Sequence, residues 1–135
     1  MGDQLALDEY LEAWAGSDDL RRAAASTIKA LSGACREIAA MVAAGPLAGD
    51  LAPRHREQAG GDFQTELDLQ ANDLLVKALA QADVAAVVSE EMDAPLPLRA
   101  GAPINVALDP LDGSSNIETN VSIGTIFSLL PATHG

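Results

Sequence analysis

The sequence predicts a layered α/β fold. Two stretches before residue 82 repeat apolar residues at helical spacing, three apolar β-rich runs follow, and clusters of Gly and Pro mark breaks between them. The chain has 135 residues, a length suited to one domain with a real core. Apolar residues make up 48%, so wholesale disorder is excluded.

The helices come first. A short one is expected over residues 5–14, closed by Gly16. Ser17 reads as the N-cap of the next, with Asp18 and Asp19 in its first turn, where acids suit the helix dipole. Leu20, Ala24, Ile28, Leu31, Cys35, Ile38 and Val42 recur three or four apart as one apolar stripe. Gly45 and Pro46 stop it. Cys35 lies on that stripe and reads as a packed residue, not a reactive one. Residues 46–61 read as a loop, with His55 as plain surface. A further helix is expected over residues 65–81, with Leu67, Ala71, Leu74, Leu75 and Ala78 inward and Asp68 at the edge of that stripe.

Then the period changes. Residues 84–88 and 104–108 are short apolar runs suited to buried strands. A third strand is expected over residues 121–130, hydrophobic and with almost no chain left to cover it, which suggests a truncated chain.

Charge narrows the function. Twenty Asp+Glu against eight Lys+Arg give a net charge of −12. That balance argues against nucleic acid or an anionic membrane as partner, since both select basic patches. There is no 18-residue apolar run for a transmembrane helix, and the acidic start does not resemble a signal peptide. The single cysteine fits a reducing compartment, so the expected location is cytoplasmic.

The acids that matter end the strands. Residues 84–88 run into Ser89, Glu90 and Glu91; residues 104–108 run into Asp109, Pro110, Leu111, Asp112, Gly113, Ser114, Ser115 and Asn116. Ligands of open α/β sheets bind at the carboxyl ends of strands. Carboxylates gathered there repel one another unless a cation relieves them, and all-oxygen donors select hard ions such as Mg²⁺ or Mn²⁺. Asp109 and Asp112 are three apart with Pro110 stiffening a turn between them, so both can face one point, together with the Leu111 carbonyl. Gly113 permits close backbone approach, and Ser114, Ser115 and Asn116 offer donors suited to phosphate. Metal-binding acids beside a phosphate-binding turn point to a metal-assisted phosphatase. A surface turn uses the same residue types, but not on the end of an apolar strand beside a second acidic strand end. Asp73, Asp83, Asp93 and Glu118 read as solvated or capping, and Tyr10 and Trp14 as packing residues.

Ser89–Glu91, Asp109–Asn116 and residues 121–127 (VSIGTIF), with residues 61–68 (GDFQTELD) and Asn72-Asp73 upstream, closely resemble class 1 fructose-1,6-bisphosphatase. The resemblance covers about residues 20–130 and implies a layered α/β sandwich of the sugar-phosphatase type, incomplete in this chain. It implies that residues 1–135 are the N-terminal part of such a domain, with the C-terminal half absent. By the same resemblance, Glu90, Asp109, Asp112 and the Leu111 carbonyl hold two or more Mg²⁺ ions, Mn²⁺ being acceptable. Asp62 is the acid that completes a further metal site, and Asp68 and Glu91 activate the attacking water, although Glu91 could instead be an outer ligand. Asp112, Gly113, Ser114 and Ser115 cradle the 1-phosphate of fructose 1,6-bisphosphate. Homotetramers are usual in the family. No Lys or Arg follows Arg99, so the cations that would grip a second phosphate are missing and the piece alone is expected to be inactive. Sedoheptulose 1,7-bisphosphate is an alternative substrate, and a non-catalytic metal- or phosphate-binding domain an alternative role.

Overall fold

A computed structural model of the chain describes residues 6–44, 61–114 and 123–133, the side chains of 61–64 excepted. The elements are α1 (Leu7–Ala15), α2 (Asp19–Ala44), α3 (Gly61–Leu79), β1 (Val84–Ser89), β2 (Leu96–Pro97), β3 (Ile104–Asp112) and β4 (Gly124–Pro131).

α1 ends as its sequence dictates. Gly16 takes φ 53°, and its amide donates to the Glu12 carbonyl at 3.2 Å. The N-cap of α2 is Asp18, not Ser17. Asp19 is already helical, and the Asp18 Oδ1 accepts the Arg21 amide at 2.8 Å. The α2 stripe is also displaced. Leu20 is 43% exposed, while Ala23, Ala25, Thr27, Leu31, Ala34 and Ile38 are buried. A single stripe suits a helix with one neighbour, and α2 has two. Ala25 packs with Leu11 and Ala15 of α1, whereas Ala23, Leu31, Ala34 and Ile38 join the main core under α3 and the sheet. Cys35 packs half-buried against that core, as expected. Tyr10 is exposed and so is not a packing residue, and Trp14 is partly exposed beneath the Arg21 guanidinium, 5.4 Å from its ring centre.

α3 begins at Gly61, four residues before the expected 65, which places the Asp62 backbone in the helix. Its Leu67, Ala71, Leu75 and Leu79 are fully buried. The remaining loop residues, His55 among them, lie outside the described residues, as does Glu118.

The sheet order is β2-β1-β3-β4, with β1 and β3 parallel and the other pairs antiparallel. No β2 was expected from the apolar pattern. It is two residues long and contains a proline, tolerable only at an edge. β3 buries Ile104, Val106 and Leu108 toward the helices. It also runs four residues beyond the expected 108, through Asp109, Pro110 and Leu111 to Asp112, where a turn was expected. β4 pairs along β3 and, among the described residues, is an edge strand, with Ile126 55% and Leu130 52% exposed. Among the described residues no helix is long and apolar enough to cross a membrane.

Candidate active site

Parallel pairing of β1 and β3 brings both acidic strand ends to the same edge of the sheet. Ser89 aligns with Leu108, and the Glu90 amide donates to the Leu108 carbonyl at 3.1 Å. One further step therefore sets Glu90 beside Asp109. Glu90 and Glu91 occupy the middle of a tight turn, closed by the Met92 amide on the Ser89 carbonyl at 3.0 Å.

In a regular strand, residues three apart point to opposite faces. Asp109 and Asp112 escape this because β3 bulges between them. Asp109 aligns with Ile126 and Asp112 with Gly124, so β3 carries one residue more than β4 over that interval. The extra residue restores the phase, and both carboxylates line one cavity. The bulge is held from both sides. The Leu111 amide donates to Asp109 Oδ1 at 3.3 Å, and the Thr125 hydroxyl of β4 donates to the Pro110 carbonyl at 2.9 Å. Gly113 then turns the chain with φ 79°, a conformation that favours glycine.

α3 supplies the third wall. Asp68 is buried, and Ser114 Oγ donates to its Oδ2 at 3.2 Å. Its Oδ1 has no hydrogen-bond partner among the described residues. Asp68, Glu90, Glu91, Asp109, Leu111, Asp112, Gly113 and Ser114 together line a cavity of about 410 Å³. The side chain of Asp62 and all of Ser115 lie outside the described residues.

Three of these carboxyl groups, Asp68, Glu90 and Glu91, hold protons more tightly than usual. Burial, then the Asp109 charge, raises Asp68 above the usual carboxylate range, with the Ser114 hydrogen bond opposing. Glu90 is raised by its hydrogen bond to Asp109, then by that charge. Glu91 is raised by burial, then by Asp68 and Asp109. Among the described residues no three Asp, Glu, His or Cys groups are arranged to hold a metal ion as they stand. The donor chemistry nonetheless suits a hard cation. The acids are all-oxygen donors, Asp109 lies close enough to Glu90 to raise it, and Asp68 Oδ1 is buried and unpartnered.

The solvated acids behave as expected at Asp73 and Asp93. Asp83 does more, pairing with Arg99 at the other end of β1. Two residues next to the site had no assigned role. Asn72 and Ser89 are both buried and hydrogen-bonded to each other. The signal was a polar residue one helical turn after Asp68 and another in the inward phase of β1.

The family described as "Fructose-1-6-bisphosphatase, N-terminal domain" matches residues 7–135. This chain belongs to that family. The family's curated members include a class 1 fructose-1,6-bisphosphatase of Azorhizobium caulinodans, 52% identical over 130 residues, covering 95% of this chain and 40% of the relative. One from Xanthobacter autotrophicus is 51% identical over 125 residues, covering 93% and 34%. The chain thus spans well under half the length of these relatives. The holo form of Leishmania major fructose-1,6-bisphosphatase superposes with a TM-score of 0.75 at 22% identity, covering 98% of this chain and 39% of that one. That likeness bears out the layered α/β architecture of the family.

Proposed function

We propose that this chain provides the catalytic strand ends of a fructose-1,6-bisphosphatase, which hydrolyses the 1-phosphate to give fructose 6-phosphate and phosphate. The observation that carries the proposal is the single cavity shared by Asp68, Glu90, Glu91, Asp109, Asp112, Gly113 and Ser114. The names of the 52% and 51% identical relatives support the same substrate.

Glu90, Asp109, Asp112 and the Leu111 carbonyl would hold Mg²⁺, with Mn²⁺ accepted by the same oxygens. When bound, the ions supply positive charge for the phosphoryl oxygens and acidify water. Gly113, Ser114 and Ser115 hold the phosphate by backbone and hydroxyl donors. Asp68 orients a water through Oδ1 and, with Glu91 beside it, receives that water's proton. Oxygen then bonds to phosphorus, the bond from phosphorus to the sugar oxygen breaks, and that oxygen leaves carrying a proton taken from solvent. Asp62 serves a further metal site. The full-length protein is proposed to be a cytoplasmic homotetramer with no nucleic-acid or membrane partner.

The test is phosphate release from fructose 1,6-bisphosphate by the full-length protein, with and without Mg²⁺. Metal-dependent release that is lost in Asp109→Ala and Glu91→Gln is the expected result. A folded protein that binds Mg²⁺ without releasing phosphate would favour the non-catalytic domain instead.

A further inference from the structure

Asn72 sits four residues after Asp68, on the same face of α3. Asp68 reaches the phosphate turn through Ser114, and Asn72 reaches β1. Its Oδ1 accepts the Ser89 hydroxyl, and the Ser89 oxygen in turn accepts the Glu91 amide at 3.2 Å. Ser89 is 3% exposed and Asn72 6%. The hydroxyl is therefore committed in both directions, as donor toward α3 and as acceptor toward the turn that carries Glu90 and Glu91.

A buried amide and a buried hydroxyl are costly beside Leu67, Ala71, Leu75 and Val87, where apolar side chains would pack without desolvation loss. Mutual satisfaction alone would explain a pair closed on itself. This chain of bonds is not closed. It ends on the backbone amide of Glu91, in the turn that carries the acid pair. The same helix thus fixes Asp68 directly and Glu90-Glu91 through Ser89, so the distance between the two acid groups is set by one rigid element.

We propose that Asn72 and Ser89 are positioning residues that hold the Glu90-Glu91 turn against Asp68 and so set the geometry of the acid cluster. This rests on the functional reading above, and touches neither substrate nor metal directly. Outer groups of this kind change metal affinity or activity by roughly 10- to 100-fold when removed.

The experiment compares Asn72→Ala, Ser89→Ala and Ser89→Thr in the full-length protein, with Thr27→Val as control. Thr27 donates a buried hydrogen bond to the Ala23 carbonyl, far from the cavity in sequence and function. Phosphate release, Mn²⁺ affinity and amide exchange at Glu91 are measured on the folded variants. Both alanine variants should lower kcat about 10- to 100-fold with KM changed less than about threefold, weaken Mn²⁺ binding about tenfold, and speed exchange of the Glu91 amide. Ser89→Thr, which keeps the hydroxyl, should restore most of kcat. The double alanine variant should be no worse than the poorer single one, because both break one chain of bonds. Thr27→Val should lose stability and keep kcat and Mn²⁺ affinity. Wild-type kcat and Mn²⁺ affinity in Ser89→Ala would overturn the proposal, as would losses in Thr27→Val that match those of the alanine variants. If the unsubstituted protein releases no phosphate, the functional reading fails, and Mn²⁺ affinity with Glu91 exchange still decides the positioning role.

Discussion

The two ends of β1 carry opposite electrostatic arrangements. At the amino end, Asp83 pairs with Arg99, whose backbone amide also closes on the Val84 carbonyl at 3.0 Å. At the carboxyl end, Glu90 and Glu91 meet Asp68, Asp109 and Asp112, and among the described residues no ion pair reaches any of them. One end is neutralised by the chain itself. The other gathers charge that the fold does not balance, and there burial first, then neighbouring acids, raise Asp68 and Glu91, while contact with Asp109 raises Glu90. A protein under pressure only for stability has no reason to build the second arrangement. The difference separates a structural acid from a functional one more sharply than residue type does.

The largest effect should come from Asp68→Asn. Loss of a positioned proton acceptor is expected to lower kcat by about 10²- to 10⁴-fold in a phosphate-release assay, with folding intact. Next comes the response to divalent cation. Saturation with Mg²⁺ at a hundredfold excess over Kd should stabilise the protein by about 2.7 kcal/mol in thermal unfolding, and Asp83→Asn should not reduce that gain. In the absence of metal the sign with pH is set by the raised carboxyl groups. Asp68, Glu90 and Glu91 bind protons more tightly folded than unfolded, so their ionisation opposes folding. Stability should fall as pH rises from the usual carboxylate range through the raised values, and Mg²⁺ should flatten that slope. Thr125→Val removes the hydroxyl that holds the Pro110 carbonyl, and should cost about 1 kcal/mol while weakening metal binding. Smallest is Arg99→Ala. Its ion pair is about half-exposed, so no more than about 1 kcal/mol should be lost and metal binding should be unchanged.

The acids at the strand ends were legible because apolar runs stop abruptly at them. The parallel pairing of β1 with β3 then made neighbours of Glu90 and Asp109, as two strand ends at one edge require. The bulge was not legible. Asp109–Asp112 has the composition of a turn, and only pairing with β4 keeps it extended. Leu20 misled because apolar spacing reports that a face exists and not how many neighbours press on the helix. Asp18 displaced Ser17 as the cap because either residue type can cap, and the start of the helix decides between them. The link from Asn72 to Ser89 spans 17 residues, and no local pattern announces it.

The decisive measurement is Mn²⁺ binding to the full-length protein and to its Asp109→Asn and Asp83→Asn variants, titrated by calorimetry. Saturable binding that Asp109→Asn weakens at least tenfold and Asp83→Asn leaves intact is the expected result. No binding, or binding indifferent to Asp109, would contradict the assignment of the carboxyl-end acids as a cation site.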